Sequence, residues 1–301
     1  MEVEIHATTG RGPVRKGNED NYLLLNLADS QFLTKPPETE EYVVKSVKFE
    51  FEENGIVLAV SDGCGGALAG DISSAMAVET VKSMLTGEVS NLEQSFYEGI
   101  LIEKLYDSAI YANRLIHHSG RTNPNYNSMG CTLTTVGITL ENLDFLEVGD
   151  SRAYLIRNQK IYQITQDQTL VVKLIEEGQI TPEEAETHPL KNVVLQALGA
   201  QNEVFPDCVR LIPNRNDILL LCSDGLSNKL TADDLSSIIR DNSNDLGNAC
   251  NCLIQEANKR GGEDNITVIL AKLSGNDLKE PVDEAVKIYP LHFNDAHDDL
   301  N

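Results

Sequence analysis

The chain has 301 residues, enough for one large domain or two ordinary ones, and 41% of them are hydrophobic, a globular composition. Its 47 acidic residues against 24 basic ones give a net charge of −23, which excludes sequence-independent binding to nucleic acid or to anionic lipid, because both need a basic face. No run approaches the roughly 18 uninterrupted apolar residues of a membrane span, and the acid-bearing start "MEVEIHATTG" does not read as a signal peptide, so a cytoplasmic, non-membrane protein is expected.

The first part is rich in strands: "VEIHATTG" (3–10) and "NYLLLNL" (21–27) both read as such. "EYVVKSVKFEFEENGIVLAVSDG" (41–63) reads as a hairpin, because Val47, Phe49 and Phe51 alternate with charges and Asn54-Gly55 is a strong hairpin-turn signal. Residues 56–60 are continuously apolar, as expected of a strand covered on both faces. Residues 71–87 then show helical periodicity, with Ile72, Met76, Val78, Met84 and Leu85 near one stripe and Gly87 as a C-cap. A long helical stretch over 91–118 follows, apolar at Phe96, Ile100, Leu105, Ile110 and Leu115.

After a polar loop, "CTLTTVGITL", "LDFLEVGD" and "RAYLIRNQKIYQIT" read as strands, with turns at Asn142 and Asn158. Residues 168–199 look helical and loop-like, and a helix starts at Thr181-Pro182. A strand near 206–212, the strand "DILLLCSDG", helices near 231–240 and 245–260 and a last strand "NITVILAKL" complete the chain. Strand–helix alternation of the parallel α/β kind is absent, as are a linker and a repeat. One α+β domain over 1–274 is expected, with a loosely held acidic tail over 275–301.

Six cysteines (Cys64, Cys131, Cys208, Cys222, Cys250 and Cys252) are scattered without a C-x-x-C pair, so free thiols are expected rather than a zinc site or disulfides.

Acids recur at strand ends. Glu19 and Asp20 precede a strand, Asp62 and Asp224 close apolar strands in the same Ser-Asp-Gly, Asp150 closes "LDFLEVGD", and Asp264 opens the last strand. Any one Asp-Gly reads as a turn. Together, several carboxylates at one end of buried sheets would repel each other unless a cation joined them, and hard oxygen ligands without His or Cys suit Mg²⁺ or Mn²⁺. Arg15, just before the first acids, reads on its own as a surface salt-bridge partner, and beside a carboxylate-metal cluster as a clamp for a substrate phosphate.

"RKGNEDNY", "VSDGCGGALAG", "GCTLTTVGI", "VGDSRAYLI", "ITQDQT", "ITPEEAETHPLKNVVLQALG", "LLLCSDGLSN" and "GGEDNITVI" resemble, in family order, the metal-dependent protein serine/threonine phosphatases of the PP2C type, bacterial branch. The resemblance implies a four-layer αββα sandwich of two antiparallel sheets. It implies that Asp62 bridges two Mn²⁺ or Mg²⁺ ions with the Gly63 carbonyl as a further ligand, and that Asp224 and Asp264 hold the first ion. Glu19 would serve the second, with Asp20 behind it; Asp150 would bind a third, weaker ion; Asn265 would orient Asp264. It implies that Arg15 binds the phosphate and that a water bridging the two ions attacks phosphorus.

The partners implied are phosphorylated proteins and a cognate Ser/Thr kinase, with the enzyme monomeric. Residues 168–199 match a flap beside the cleft. Cys64, Gln168 and Asp71 depart from the usual Met or His, His and Glu at their positions. A cysteine phosphatase is a rival, but it needs an arginine six residues after its cysteine, and Gly70 stands there. Without a thiol mechanism, Cys64 reads as a small side chain packed near the cleft. A binding module without activity and a phosphatase of small molecules are two further rivals.

Overall fold

Strand β1 (Glu2–Gly10) pairs along its whole length with the strand that ends the fold, β14 (Ile266–Ser274), from Glu2 opposite Ser274 to Gly10 opposite Ile266. This pairing centres an antiparallel six-stranded sheet in the order β11 (Lys160–Gln163), β10 (Arg152–Arg157), β13 (Ile218–Cys222), β14, β1, β4 (Glu41–Glu50). A seven-stranded antiparallel sheet runs in the order β15 (Tyr289–Leu291), β12 (Asp207–Leu211), β9 (Leu143–Val148), β8 (Leu133–Ile138), β5 (Ile56–Ser61), β2 (Asn21–Asn26), β3 (Gln31–Thr34). The short β6 (Gly63–Cys64) and β7 (Gly130–Cys131) pair beside it. The computed structural model describes residues 1–36, 39–50, 54–65, 67–89, 99–282 and 284–293.

Three apolar clusters account for the layers. Between the sheets, Tyr22, Leu24, Ile56, Leu58, Val60 and Phe145 meet Ile5, Leu155, Leu219 and Ile269. The alternate residues of the same strands, Leu23, Leu25, Val57 and Ala59, face the helices α1 (Ala67–Leu85) and α2 (Leu101–Thr122). Leu220, Cys222, Val268 and Leu270 face the one-turn α5 (Asp224–Ser227) and the longer α6 (Ala232–Asp241) and α7 (Leu246–Lys259). Both faces of β2, β5, β13 and β14 are therefore covered, which is why these strands read as unbroken apolar runs. Truncating a side chain such as the fully buried Phe145 to alanine would cost about 3–5 kcal/mol. The four-layer α+β sandwich is as expected.

The expected hairpin over 41–63 does not form. β4 pairs with β1 in one sheet, whereas β5 pairs with β2 and β8 in the other. Both edges of β5 are occupied, so Gly55 (φ 94°) hands the chain from one sheet to the other. Phe51 lies outside the described residues, as do residues 91–98 of the expected long helix; the described part of that helix begins at Leu101 and runs to Thr122. The chain after Ser274 does not trail away: Leu278 is buried, β15 adds to the edge of β12, and Phe293 packs on Tyr106 with ring centroids 4.7 Å apart. The edge strand β3 carries no sequence signal of its own. In the expected flap, α3 (Leu170–Glu176) precedes α4 (Pro182–Glu186), which starts in a capping box between Thr181 and Glu184. All six cysteines are free, and four are buried.

Candidate metal centre

Register places the acids at one end of the sandwich. Asn21 opposite Ser61 puts Glu19 and Asp20 beside Asp62 in the seven-stranded sheet. In the other sheet Cys222 faces both Val268 and Arg152, which brings Asp224, Asp264 and Asp150 to the same end. The charge of Asp62 is felt against those of Asp20, Asp224, Asp264 and Asp150. Every acid expected from the sequence is thus in one neighbourhood.

The Ser-Asp-Gly turns are shaped by space. A Cβ on Gly63 would fall on the Gly70 carbonyl of α1, one on Gly225 on the Asn265 carbonyl, and one on Gly70 on Glu19 Oε2. The glycines let backbone meet backbone under the acids. Ser61 Oγ donates to Thr132 O at 2.6 Å, and Asp62 N to Thr132 Oγ1 at 2.9 Å, fixing the end of β5. Asn265 orients more than its neighbour: its Oδ1 accepts from Glu19 N at 2.9 Å and its Nδ2 donates to Arg11 O and Gly17 O, while its N–H donates to Asp264 Oδ1 at 2.9 Å.

Asp20 is fully buried and lies behind the acids. Ser223 Oγ and Thr267 Oγ1 each donate to its Oδ2 at 2.7 Å, so it ties β2 to the second Ser-Asp-Gly and to the last strand. Arg15 Nη2 donates to Asp264 Oδ2 at 2.7 Å and its Nε to Glu263 O at 3.3 Å.

Two supporting groups carry no signal in the sequence. Lys35 is buried, donates to Asn18 O and pairs with Asp71 Oδ1 at 2.8 Å, and its charge acts on Glu19. Arg152 forms a bidentate pair with Asp167 at 2.8 and 2.7 Å beside Asp150. The departure at Gln168 has a structural role: it accepts from Gly149 N at 2.9 Å and donates its own backbone N–H to Gly149 O at 2.7 Å, pinning the turn that carries Asp150. Cys64 is exposed at the rim rather than packed, its thiol nonetheless held above the usual range by partial desolvation and by the charges of Glu19 and Asp150.

Burial dominates the electrostatics. Desolvation, then neighbouring acids, pushes Asp20 and Asp150 up to about 7 and Asp224 up to about 6. Asp62 stands well above the carboxylate range for the same reasons. Desolvation also raises Glu19, against the pull of Arg15. Asp20 Oδ1 and Asp224 Oδ1 are buried and accept no hydrogen bond among the described residues. Buried carboxyls in this state must either keep protons or meet cations. Among the described residues no three His, Cys, Asp or Glu side chains are closed into a ready-made cage. The donor set nevertheless fits a divalent ion: hard oxygens, orphaned lone pairs, and too much like charge without one.

The family model for protein phosphatase 2C matches residues 46–252. The chain belongs to the protein phosphatase 2C family. Within that family it is similar to the serine/threonine phosphatase stp of Listeria welshimeri, with 32% identity over 264 residues, 88% of this chain and 93% of that protein. The structure of the S. agalactiae serine/threonine phosphatase is 31% identical with a TM-score of 0.74, covering 90% of this chain and 100% of that one. The catalytic domain of the serine/threonine protein phosphatase PstP, in complex with two manganese ions, is 28% identical with a TM-score of 0.69, covering 91% of this chain and 100% of that one. Among the described residues no helix is long and apolar enough to cross a membrane.

Proposed function

We propose that this protein phosphatase 2C chain hydrolyses phosphoserine and phosphothreonine in proteins, using two divalent metal ions, and thereby opposes a Ser/Thr kinase. The observation that carries the reading is the gathering of Glu19, Asp62, Asp224 and Asp264 at one end of two sheets, with Asp224 Oδ1 buried and unpartnered among the described residues. Family membership and relatives named as serine/threonine phosphatases support it. We read residues 1–274 as one phosphatase domain, with the acidic segment 275–301 appended.

Asp62, the Gly63 carbonyl, Asp224, Asp264 and Glu19 are the groups that would hold two Mn²⁺ or Mg²⁺ ions, and Asp150 a third. The ions would supply an acidified water as nucleophile and positive charge for the phosphoryl oxygens. Arg15, with a fork of donors and a half-exposed side chain, turns from Asp264 to hold the substrate phosphate by two parallel N–H···O bonds. Asp20, fixed by Ser223 and Thr267, and Asn265, fixed by two backbone carbonyls, keep the acids from collapsing toward the core. Gln168 and Arg152 hold the Asp150 turn. Exposed Cys64 takes no part in a thiol mechanism: Gly70 stands where that chemistry needs arginine, and the thiol is held protonated.

The test is hydrolysis of p-nitrophenyl phosphate and of phosphothreonine peptides with and without Mn²⁺. Metal-dependent turnover abolished by EDTA is the expected result. A folded, metal-loaded chain inactive on both substrates would overturn the reading in favour of a binding module, and turnover of small phosphates alone would favour a small-molecule phosphatase.

A further inference from the structure

The arginines of this acidic chain are accounted for by carboxylates, with two exceptions. Every arginine other than Arg114 and Arg121 has an ion-pair partner. Among the described residues Arg114 and Arg121 have none. Both lie on α2 and both are exposed. With His117 and His118 between them they follow at spacings of three and four, so they share one helix face. Thr122 and Asn202 complete an open depression of about 500 Å³, and among the described residues no carboxylate lines it. In a chain with net charge −23, this face of α2 carries positive charge without a paired acid among the described residues.

The depression is built, and a run of contacts links it to the candidate centre. Asn113 Oδ1 accepts from Gly199 N at 2.7 Å and its Nδ2 donates to Gln201 O and Asn202 O, which holds the loop after the flap against α2. His117 Nδ1 lies 3.0 Å from Gly199 O. Leu198 bridges Cys131, and Cys131 pairs with Gly63, next to Asp62. Contacts through the buried Leu198 and Cys131 therefore join the loop beside the cationic face to the turn that carries Asp62. The two regions have opposite charge, so a phosphoprotein segment crossing both would place its phosphate at the metals and its other anions on α2.

We propose that this face docks anionic side chains flanking the phosphosite, so that the chain selects phosphoproteins in which the target residue lies among acidic or further phosphorylated residues. The inference deepens the phosphatase reading and rests on it. Exposed charge pairs act through long-range attraction and partner choice more than through tight contact. The selection is therefore expected in kcat/KM and to fade as salt screens it.

The experiment compares phosphothreonine peptides with neutral, glutamate-rich, phosphoserine-bearing and lysine-rich flanks. Wild-type protein is expected to favour the glutamate-rich and phosphoserine-bearing peptides over the neutral one by about fivefold at low salt, from two or three exposed pairs. Preference for only one of the two anionic flanks identifies carboxylate or phosphate as the group docked. In Arg114→Glu/Arg121→Glu the preference should vanish or invert, with p-nitrophenyl phosphate turnover unchanged. The neutral pair Arg114→Gln/Arg121→Gln, in which a folding defect is less of a concern, should lose it too. Equal rates on neutral and anionic peptides in the wild type, or a preference surviving both double variants, would overturn the proposal. Binding of the labelled glutamate-rich peptide, followed by fluorescence anisotropy, decides docking without turnover. Failure to hydrolyse p-nitrophenyl phosphate would instead count against the phosphatase reading alone.

Discussion

Arg15 Nη2 lies 2.7 Å from Asp264 Oδ2, and the strength of that hydrogen bond, more than any other influence, raises the guanidinium's pKa further. The proposed phosphate clamp is thus poised on a proposed metal ligand. Replacing Arg15 by alanine removes the proposed bidentate phosphate contact and should raise KM for p-nitrophenyl phosphate by about tenfold, with a smaller change in kcat. Steady-state kinetics at saturating Mn²⁺ checks this; an unaltered KM would remove the clamp role.

Asp62 and Asp224 should respond to neutralisation in two opposite ways. Asp62→Asn or Asp224→Asn removes an oxygen of the proposed metal site and should lower activity by more than about 100-fold, beyond the loss usual for merely supporting residues. The same change relieves like-charge crowding in the metal-free fold, whose melting temperature should rise by about 2 °C or more. Thermal melts in EDTA read this separately from activity, and a fall in both quantities would point to a structural role instead.

The raised carboxyls give the metal-free protein a pH dependence of definite sign. Asp20 and Asp150 titrate at about 7 and Asp224 at about 6, against about 4 in the unfolded chain. Between these values the native state binds more protons than the unfolded one. Stability therefore falls as pH rises from about 4 to about 7. Divalent ions offset the unpaired charge, so Mn²⁺ should raise the melting temperature more at pH 8 than at pH 5. A shift independent of pH would contradict the assignment of the acids to the metals.

Ser223→Ala withdraws one donor from the buried Asp20, leaving Thr267 as its remaining hydroxyl partner. Apparent Mn²⁺ affinity should weaken by about 10–100-fold, with little change in turnover at saturating metal. A Mn²⁺ titration of activity separates the two. Loss of turnover at every metal concentration would place Asp20 in the reaction itself.

Asp234 accepts from Thr231 N and Thr231 Oγ1 and from both terminal nitrogens of Arg260. These bonds, Arg260 first, hold its carboxyl below the usual range. Its stabilising effect is present above the unfolded pKa and is lost as pH falls through the folded one. Asp234→Ala should cost about 1 kcal/mol at pH 7 and less at pH 2, measured by urea denaturation, with activity unchanged.

Much of this was legible in the sequence because few forces decide it. The unbroken apolar runs of β5, β13 and β14 follow from two-sided burial, and the gathering of the strand-end acids follows from their sharing one end of the two sheets. Less local matters were hidden. Asn54-Gly55 signals a turn but not which partners the flanking strands choose; β5 is claimed on both edges, so β4 goes to the other sheet. Lys35 reaches Asp71 and Asn18 across the fold, from a segment whose composition looks like a surface loop. The glycines of the Ser-Asp-Gly turns look like residues chosen for φ, yet at Gly63 and Gly225 what matters is the backbone standing where a Cβ would be. The isolation of Arg114 and Arg121 emerges only once every other arginine is seen to be matched.

The acids are shared between two sheets that touch one another mainly through apolar side chains. Glu19 and Asp62 belong to one, Asp224 and Asp264 to the other. An ion held by both sets would act as a staple closing a very long loop, and closing long loops removes the most freedom from the unfolded chain. Metal loading should then slow hydrogen exchange in β5 and β14 together, so that the two halves of the sandwich breathe as one body rather than two.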